Sequence, residues 1–582
     1  MQLASIHAPA HRGFCNAAVG IVTGIVTGIV AVVVLLTGSA RAQVVSDPTD
    51  PLYDDLEIWE LRGLTGPLPA LQPCPLPLIR AMLHRVQAHP SATVVDRRRA
   101  SWLLARPGDE LPHVAIDSEL RSTTATAGPY ALVALDPDWQ FMPAPWLSLA
   151  SHVRISGVRL QDGLLLPAAR GNPEDFIADA TDIDVGDVRL DVRNMSFGSL
   201  AVGTVGDEGA LFGQAALSRH RLGPFFRNGI VVGQQAPVAG ELSVMMQRDF
   251  FTAHIALFEL QATDDNGLGR SSGKHLHFHQ LDVHPAPWLD LGVFETVITG
   301  RLDPLYLLPA SAYFHAQGIG GFADNSLVGL SGRVRPLPGV DVKGVFYADD
   351  FQFNDTVRGV LDTKYKFAAQ VGASWAPAAR GSSWLQALRL VSVDYTAVMP
   401  YMYAHINTPG EGFNVENYTN GGVNFGPALE PNSDRVELRS LLRLLDDPAV
   451  SLVDLELRTV FLRHGNASAG IIDGRDGSIL DDGYLLDQPT FQPPFDDPTG
   501  QPYTRFLTQR VVEQTLQAGA SLRWTFDSGR LLPSSEQPVW DRGFGSVSAT
   551  VDGTIEWSDN AGLVAGVRRV EAFLGTTLAW RY

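Results

Sequence analysis

The sequence predicts an all-β transmembrane antiparallel barrel of about 18 strands, preceded by a small domain of three helices. From Val114 to Tyr582 apolar and polar residues alternate with a period of two between turns rich in Gly, Pro, Asn and Asp. The alternating runs are about 9 to 13 residues long, whereas soluble strands average ~5 to 6 residues and tilted transmembrane strands take ~9 to 11. The last run ends on Trp580 and Tyr582, which resembles the C-terminal insertion signal of bacterial outer-membrane barrels.

Four segments carry the alternation most clearly. Between positions 363 and 375 the odd residues are mostly aromatic or aliphatic, and the even ones are Lys, Ala, Gln, Gly and Ser. Segments 453–461, 513–526 and 547–557 divide in the same way. Such strands face lipid with the apolar side and a wet lumen with the other. Aromatic residues near strand ends, such as Trp375, fit the interfacial girdles of barrels.

Chain length sets the expected strand number. About 468 residues from Ala115 onward, at roughly 25 to 30 per strand with its connection, give 16 to 18 strands, and single-chain bacterial barrels favour even numbers. We predict 18, with 16 as the alternative. A lumen of that width holds water unless loops or another domain block it.

Residues 1–42 predict a cleaved export signal, and hence a barrel in the outer membrane. Arg12 precedes an apolar stretch from Ala17 to Leu36, and small residues at Ala40 and Ala42 suit signal peptidase. An uncleaved membrane anchor is the alternative. Beyond this leader no run approaches the ~20 apolar residues of a membrane helix.

Charge and cysteine content exclude two classes of protein. The chain has 44 Lys and Arg against 63 Asp and Glu, a net charge of −19, which argues against nucleic acid as a partner. Its two cysteines are Cys15, in the leader, and Cys74. The exported chain therefore forms no internal disulfide, and packing or hydrogen-bonded closure must supply its stability.

Residues 43–113 predict a periplasmic helical domain that plugs the barrel of residues 114–582. Its helices are expected at about 53–61, 76–88 and 92–105, ended by Gly63, Pro90 and Pro107. The third carries three consecutive arginines, Arg97, Arg98 and Arg99. A basic trio is either a solvated helix face or a docking contact; in a chain this acidic we predict that it docks onto acids of the barrel.

Two long connections are expected to face outward and to carry function. The first, from Pro400 to Arg435, is rich in Asn, Tyr and Gly, and the second, from Asp473 to Pro502, is acidic. Acidic oxygens in such loops bind divalent cations or are simply solvated. The candidate cation-binding acids are Asp349, Asp350, Asp473, Asp476, Asp481 and Asp482.

The histidine cluster His275, His277 and His279 is the weak candidate for a metal site. On a strand the three rings share a face, but neighbours lie ~6.6 Å apart, so two of them could share a metal and three could not. The alternative is a row of polar residues in the lumen or at the periplasmic rim. We expect no metal and no cofactor beyond a divalent cation at the acidic loops.

No motif indicates an enzyme. Gly269-Arg270-Ser271-Ser272-Gly273 matches the letters of a hydrolase nucleophile elbow, which requires a strand, a sharp turn and then a helix. Here it follows a turn sequence and precedes a strand, so we interpret it as a hairpin loop.

Three stretches resemble the Wzi-like capsule assembly proteins. The family's helical N-terminus is similar to Tyr53 to Glu57, followed by Gly63-Leu64 and by Pro75 to Leu78. Its strand that ends in paired acids is similar to Gly344 to Phe351. Asn417 to Asp434 is similar to its surface segment, although Phe425 stands where the family tends to have Leu and Glu430 replaces the second Gly.

The resemblance implies an 18-stranded barrel, a three-helix periplasmic plug and attachment of exported polysaccharide at the cell surface, without an enzymatic step. The expected partners are outer-membrane lipid, exported polysaccharide and the barrel assembly machinery during insertion. Aromatic faces and amide groups suit sugars; the candidates are Tyr401, Tyr403, Asn417, Tyr418, Asn420 and Asn424. A passive diffusion porin is the alternative function.

Overall fold

The computed structural model confirms an antiparallel barrel with three helices before it. The residues that it describes are 48, 50–104, 113–124, 130–159, 183–185, 188–191, 197–206, 209–225, 227–233, 236–263, 270–308, 313, 319, 324–349, 366–377, 387–400, 402–403, 413, 415–447, 451–465, 506–508, 510–527 and 546–581. No helix within these ranges is long and apolar enough to cross a membrane. The expected leader, residues 1–42, lies outside them.

The helices lie close to their predicted positions: α1 is Pro51–Leu61, α2 is Leu76–Ala88 and α3 is Val94–Leu104. The Asp50 carboxylate caps α1 by accepting from the Leu52 N–H at 2.8 Å. At the start of α3, the Thr93 N–H donates to Asp96 at 2.8 Å and the Asp96 N–H donates back to Thr93 Oγ1 at 3.1 Å. This reciprocal box satisfies N–H groups that a helix start leaves unpaired.

Within the described part of the chain, 21 strand segments form the closed barrel. Two strands are each interrupted once, and the short segment Ile183–Val185 pairs with Val188–Asp191, so that the wall has eighteen strands, as predicted. In chain order they are β1 (His113–Thr123), β2 (Tyr130–Ala144), β3 (Leu147–His152, continued by Ile155–Arg159), β4 (Val188–Asp191, continued by Phe197–Gly206), β5 (Gly209–Ser218), β6 (Ala239–Arg248), β7 (Phe251–Thr263), β8 (Arg270–Ala286), β9 (Leu289–Thr299), β10 (Asn325–Leu337), β11 (Val340–Ala348), β12 (Phe367–Trp375), β13 (Leu388–Val398), β14 (Ser433–Asp447), β15 (Ser451–Gly465), β16 (Val512–Asp527), β17 (Ser546–Asp559) and β18 (Arg568–Arg581). Each strand pairs antiparallel with the next, and β18 pairs with β1. Because β18 pairs with β1, the described sheet closes on itself and does not end at an exposed edge strand.

The predicted alternation sets the two faces of the wall. Large apolar side chains from the four alternating segments are exposed on the outside: Val371, Trp375, Leu457, Phe461, Leu516, Leu522, Trp524, Val551, Ile555 and Trp557. Their neighbours Lys366, Gln370 and Gln517 are buried inside. An apolar outer band of this kind suits contact with lipid.

The two ends of the barrel differ in their connections. At one end β10 and β11 are joined by Pro338 and Gly339 alone, and β8 and β9 by Pro287 and Trp288. The opposite end carries the long connections, including residues 219–238, 300–324 and 399–432. In outer-membrane barrels short turns face the periplasm. The helical domain lies at the end with the short turns, where the N–H of Gly339, in the turn between β10 and β11, donates to the Leu61 carbonyl at 2.9 Å.

Deleting residues 578–582 is expected to abolish assembly of the barrel. Leu578 pairs with Ser118 of β1 and Ala549 of β17, and Trp580 with Ile116 and Val547, so the truncation shortens both ladders at the closing seam. The absence of a heat-modifiable, protease-resistant form in the outer membrane would confirm this. Trp580→Phe, which keeps the ladder, should assemble normally; a truncated chain that assembles equally well would contradict the prediction.

Candidate functional site

The helical domain docks into the barrel through acids on α1. Asp55 accepts from Arg389 of β13 at 2.9 Å and lies 3.6 Å from Arg443 of β14. Asp54 accepts from Arg439 of β14 at 3.1 Å. These side chains are largely buried, so each charge depends on its partner for the solvation it has lost.

Two further acids of α1 extend this docking contact. Glu57 lies 3.3 Å from the ammonium of Lys343 in β11, and Glu60 accepts from Arg333 of β10 at 2.6 Å and from Arg335 at 3.3 Å. Acids at positions 54, 55, 57 and 60 therefore meet bases on four strands, β10, β11, β13 and β14. We call this set the α1 acid cluster.

The arginines lower the pKa of the acids that they contact. Burial alone would raise the pKa of Asp54, but Arg227 and Arg439 beside it hold the pKa below its usual value. Burial also opposes ionisation of Asp55, and Arg99, Arg443 and Arg389 together outweigh it, so its pKa is lowered as well. Both carboxylates therefore stay charged across the physiological range.

The prediction that Arg97, Arg98 and Arg99 dock onto barrel acids is wrong. Arg99 is buried and donates to Asp55 within the helical domain at 2.8 Å. Arg97 is exposed and donates to the His89 carbonyl at 3.1 Å, and Arg98 is exposed. Docking uses the opposite polarity: the domain supplies acids and the barrel supplies bases.

Two connections fold into the lumen from the opposite end. We call the described residues 219–225, 227–233 and 236–238 the first inward segment, and the described residues 399–400, 402–403, 413 and 415–432 the second. They meet where Tyr403 donates to the Ile230 carbonyl at 2.6 Å and the Gly233 N–H donates to the Phe425 carbonyl at 3.0 Å. Near the far end of the second inward segment, Thr419–Asn420 pairs with Val423–Asn424. Gly421 and Gly422, with φ of 62° and 87°, form the turn between them.

An aromatic cluster joins the second inward segment to the wall. Tyr418 lies 5.3 Å from Tyr403, 6.0 Å from Tyr347 of β11 and 6.3 Å from Phe425, between ring centroids. Tyr347 also meets Phe294 of β9 at 5.5 Å. One continuous apolar core links these rings to the first inward segment and to inner faces of β7 to β13. A water-filled lumen would have polar walls here.

Several predicted sugar-binding residues hold the second inward segment together. Tyr403, Tyr418, Asn417 and Asn420 are buried, so the prediction that they offer free faces to sugar rings is wrong. Asn420 accepts from the Gln261 N–H at 3.0 Å.

Asn424 and Tyr401 differ from the buried set. Asn424 is half-buried, accepts from the Gly426 N–H at 2.9 Å and donates to the Pro427 carbonyl at 3.0 Å. Tyr401 lies outside the described residues. Asn424 is thus the candidate that combines a solvent-facing position with a fixed amide.

Lys274 of β8 is a buried cation that sequence patterns did not single out as functional. Its ammonium donates to Asn417 Oδ1 at 2.7 Å and to Thr419 Oγ1 at 3.3 Å. Asn417 Oδ1 also accepts from Thr419 Oγ1 at 2.7 Å. These bonds tie the second inward segment to the wall.

The histidine cluster faces outward, so its expected place in the lumen or at the periplasmic rim is wrong. His275, His277 and His279 share a face of β8 with the exposed residues Leu281 and Val283. Within the described part of the chain, no three or more His, Cys, Asp or Glu side chains are grouped to hold a metal ion.

The candidate cation-binding acids are mostly outside the described residues. Asp349 forms an ion pair with Lys366 at 3.4 Å across the start of the connection between β11 and β12. Asp350, Asp473, Asp476, Asp481 and Asp482 fall in ranges that the structure does not describe. Their role in cation binding stays a prediction.

Comparison with known proteins places this filled barrel among outer-membrane structures. The structure matches Wzi of Escherichia coli, an outer-membrane protein described as a carbohydrate-binding β-barrel involved in group 1 capsule assembly. The TM-score is 0.50 and the sequence identity 13%, and the match covers 92% of this chain and 99% of Wzi. The chain has the fold of Wzi. The resemblance found in the sequence is thereby confirmed at the level of the fold.

Porins match more weakly. OprD from Pseudomonas aeruginosa gives a TM-score of 0.37 at 8% identity over 81% of this chain and 93% of that one, and OccK10 of the same organism gives 0.36 at 7% over 81% and 98%. No protein-family model and no curated protein matches the sequence. The match to Wzi supports the fold of an outer-membrane β-barrel.

Proposed function

We propose that this protein binds exported polysaccharide and attaches it at the cell surface, and that it is not a diffusion pore. The packed inner face of β7 to β13 carries this conclusion, because aromatic rings and two inward segments take the place of a polar, water-filled lumen. The fold matches that of Wzi, which is described as a carbohydrate-binding barrel, and this match supports the same function.

The upper surface of the second inward segment is the proposed contact with the polysaccharide. Glu416, Val423, Asn424 and Glu430 of this segment are half-buried, whereas Tyr418 is buried. Amide and carboxylate oxygens accept hydrogen bonds from sugar hydroxyls, each contributing a net ~0.5 to 1.5 kcal/mol. Single substitutions therefore weaken binding modestly, and a long polymer gains avidity from repeated contacts.

Deleting the gene should release surface polysaccharide into the medium without lowering its total amount. Hexose in the cell pellet and in the supernatant measures this, with the wild-type gene restored as the control.

Purified protein in planar bilayers should give no large, stable conductance steps, because its lumen is filled. Retained polysaccharide together with large steps would favour the porin instead.

A further inference from the structure

The connection after β9 folds back over the outside of the barrel. The outer face of β9 carries the exposed Leu291 and Val293, and Glu295 and Val297 follow on the same face by the strand period. Val297 is nevertheless fully buried, in one cluster with Tyr306 and Tyr313. We call the described residues of this connection, 300–308, 313, 319 and 324, the outer flap.

The inner side of the outer flap covers a polar patch of the wall. The His277 ring lies 5.1 Å from Tyr306 and the His279 ring 4.2 Å from Tyr313, between centroids. The Tyr313 N–H donates to Glu295 at 3.0 Å. Glu295 of β9 thus accepts a hydrogen bond from the flap, and the flap's tyrosine rings cover the His277 and His279 rings of β8.

The opposite side of the flap is apolar and exposed. Leu302, Leu308 and Ile319 are exposed to 54%, 51% and 78%, and Leu305 and Leu307 are also exposed. This surface continues the lipid-facing wall of the neighbouring strands, where Val293, Val328 and Leu330 are exposed on the same side. Arg301, at the start of the flap, lies within 4 Å of Asp303 and Asp324, a charged end that suits the headgroup level.

We propose that the outer flap lies in the hydrocarbon of the outer leaflet and binds its acyl chains. Polar side chains on the lipid face of a barrel are destabilising in the hydrocarbon, and unsatisfied polar groups cost several kcal/mol there. The flap covers His277 and His279 with tyrosine rings and donates a backbone N–H to Glu295, so these groups are shielded from the hydrocarbon while the flap's leucines face it. The inference does not depend on the polysaccharide.

Fluorescence quenching at single introduced cysteines tests the position of the flap. Leu308→Cys and, as a second position, Leu305→Cys are labelled with a polarity-sensitive fluorophore in the chain of residues 43–582, which lacks Cys15, and reconstituted into phosphatidylcholine vesicles. A nitroxide on the acyl chains is expected to quench both labels, and aqueous iodide to quench them several-fold less. Cys74 adds no background, because it is buried and burial raises the pKa of its thiol to about 12.

Two control positions define the outcomes. Leu330→Cys, on the lipid-facing wall, sets the acyl-chain signal, and Val94→Cys, exposed at the start of α3, sets the aqueous signal. Flap labels that follow Leu330→Cys support the proposal. Flap labels that iodide quenches as strongly as the label at Val94→Cys overturn the proposal. Strong iodide quenching at Leu330→Cys also overturns it, because it would mean that the outer wall beside the flap does not contact lipid.

Discussion

Replacing Asp54 and Asp55 by arginine is expected to expel the helical domain from the barrel. Asp55 faces Arg389 and Arg443, and Asp54 faces Arg439. Removing one partner of a buried ion pair costs ~3 to 5 kcal/mol, and a reversed charge adds repulsion to that loss. The expelled domain should become sensitive to trypsin, and ion conductance should rise.

The barrel side provides a variant that leaves α1 unchanged. Asp55 also binds Arg99 inside the helical domain, so the helix variant could lose its own fold. Arg389→Glu with Arg443→Glu reverses the partners instead and should give the same trypsin sensitivity. Arg97→Glu with Arg98→Glu, on the exposed surface, is the control and should change neither readout. Protection that survives both reversals would refute docking through the α1 acid cluster.

Mild acid should not undock the domain. Because the pKa values of Asp54 and Asp55 are lowered in the docked state, their stabilising charge is fully present above the unfolded value of ~3.9 and is lost only as the pH falls well below it. Trypsin sensitivity that appears already near pH 5 would indicate that other groups control docking.

Local sequence signals were sufficient for the elements and for the outer wall. The helix limits follow from Gly63 and Pro90, and the strand faces from alternation over residues such as Leu516, Leu522 and Trp524, which are exposed as predicted. Strand number follows from length, because each strand and connection takes a similar share of the chain. The signals for the helix limits and the strand faces lie within a few residues of the structure that they determine, whereas the strand number depends on the total length.

The contents of the lumen depend on contacts between distant residues. Asp55 and its partner Arg389 are 334 positions apart, and Asn420 donates to the carbonyl of Val238 across 182. A loop rich in Asn, Tyr and Gly can lie in solvent or pack inside the lumen, so its composition does not predict that Tyr418 is buried. The acids of α1 carried a usable signal, since Asp54, Asp55, Glu57 and Glu60 cluster on one short helix.

The orientation of β8 escaped prediction because both of its faces contain apolar residues. Leu276 and Phe278 point into the filled lumen, and Leu281 and Val283 point outward. Alternation identifies the inner face only when that face is polar. The packing that argues against a pore therefore also concealed the outward position of His277 and His279.

Replacing Tyr418 by alanine is expected to detach the second inward segment from the wall while leaving the barrel closed. The ring is buried against Tyr403, Tyr347 and Phe425, and truncating a buried aromatic side chain to alanine costs ~3 to 5 kcal/mol. This cost falls on the contact between the second inward segment and the wall, whereas the strands keep their ladders. Protease should then cut within residues 413–430, and conductance should increase.

Tyr418→Phe is the matched control for this substitution. It keeps the ring, and the Tyr418 hydroxyl has no hydrogen-bond partner among the described residues, so the loop should remain protected. Both variants should show the same heat-modifiable mobility as the wild type, because closure rests on the β1 and β18 ladder. Conductance and protection that are unchanged in Tyr418→Ala would mean that the aromatic cluster does not hold the lumen shut.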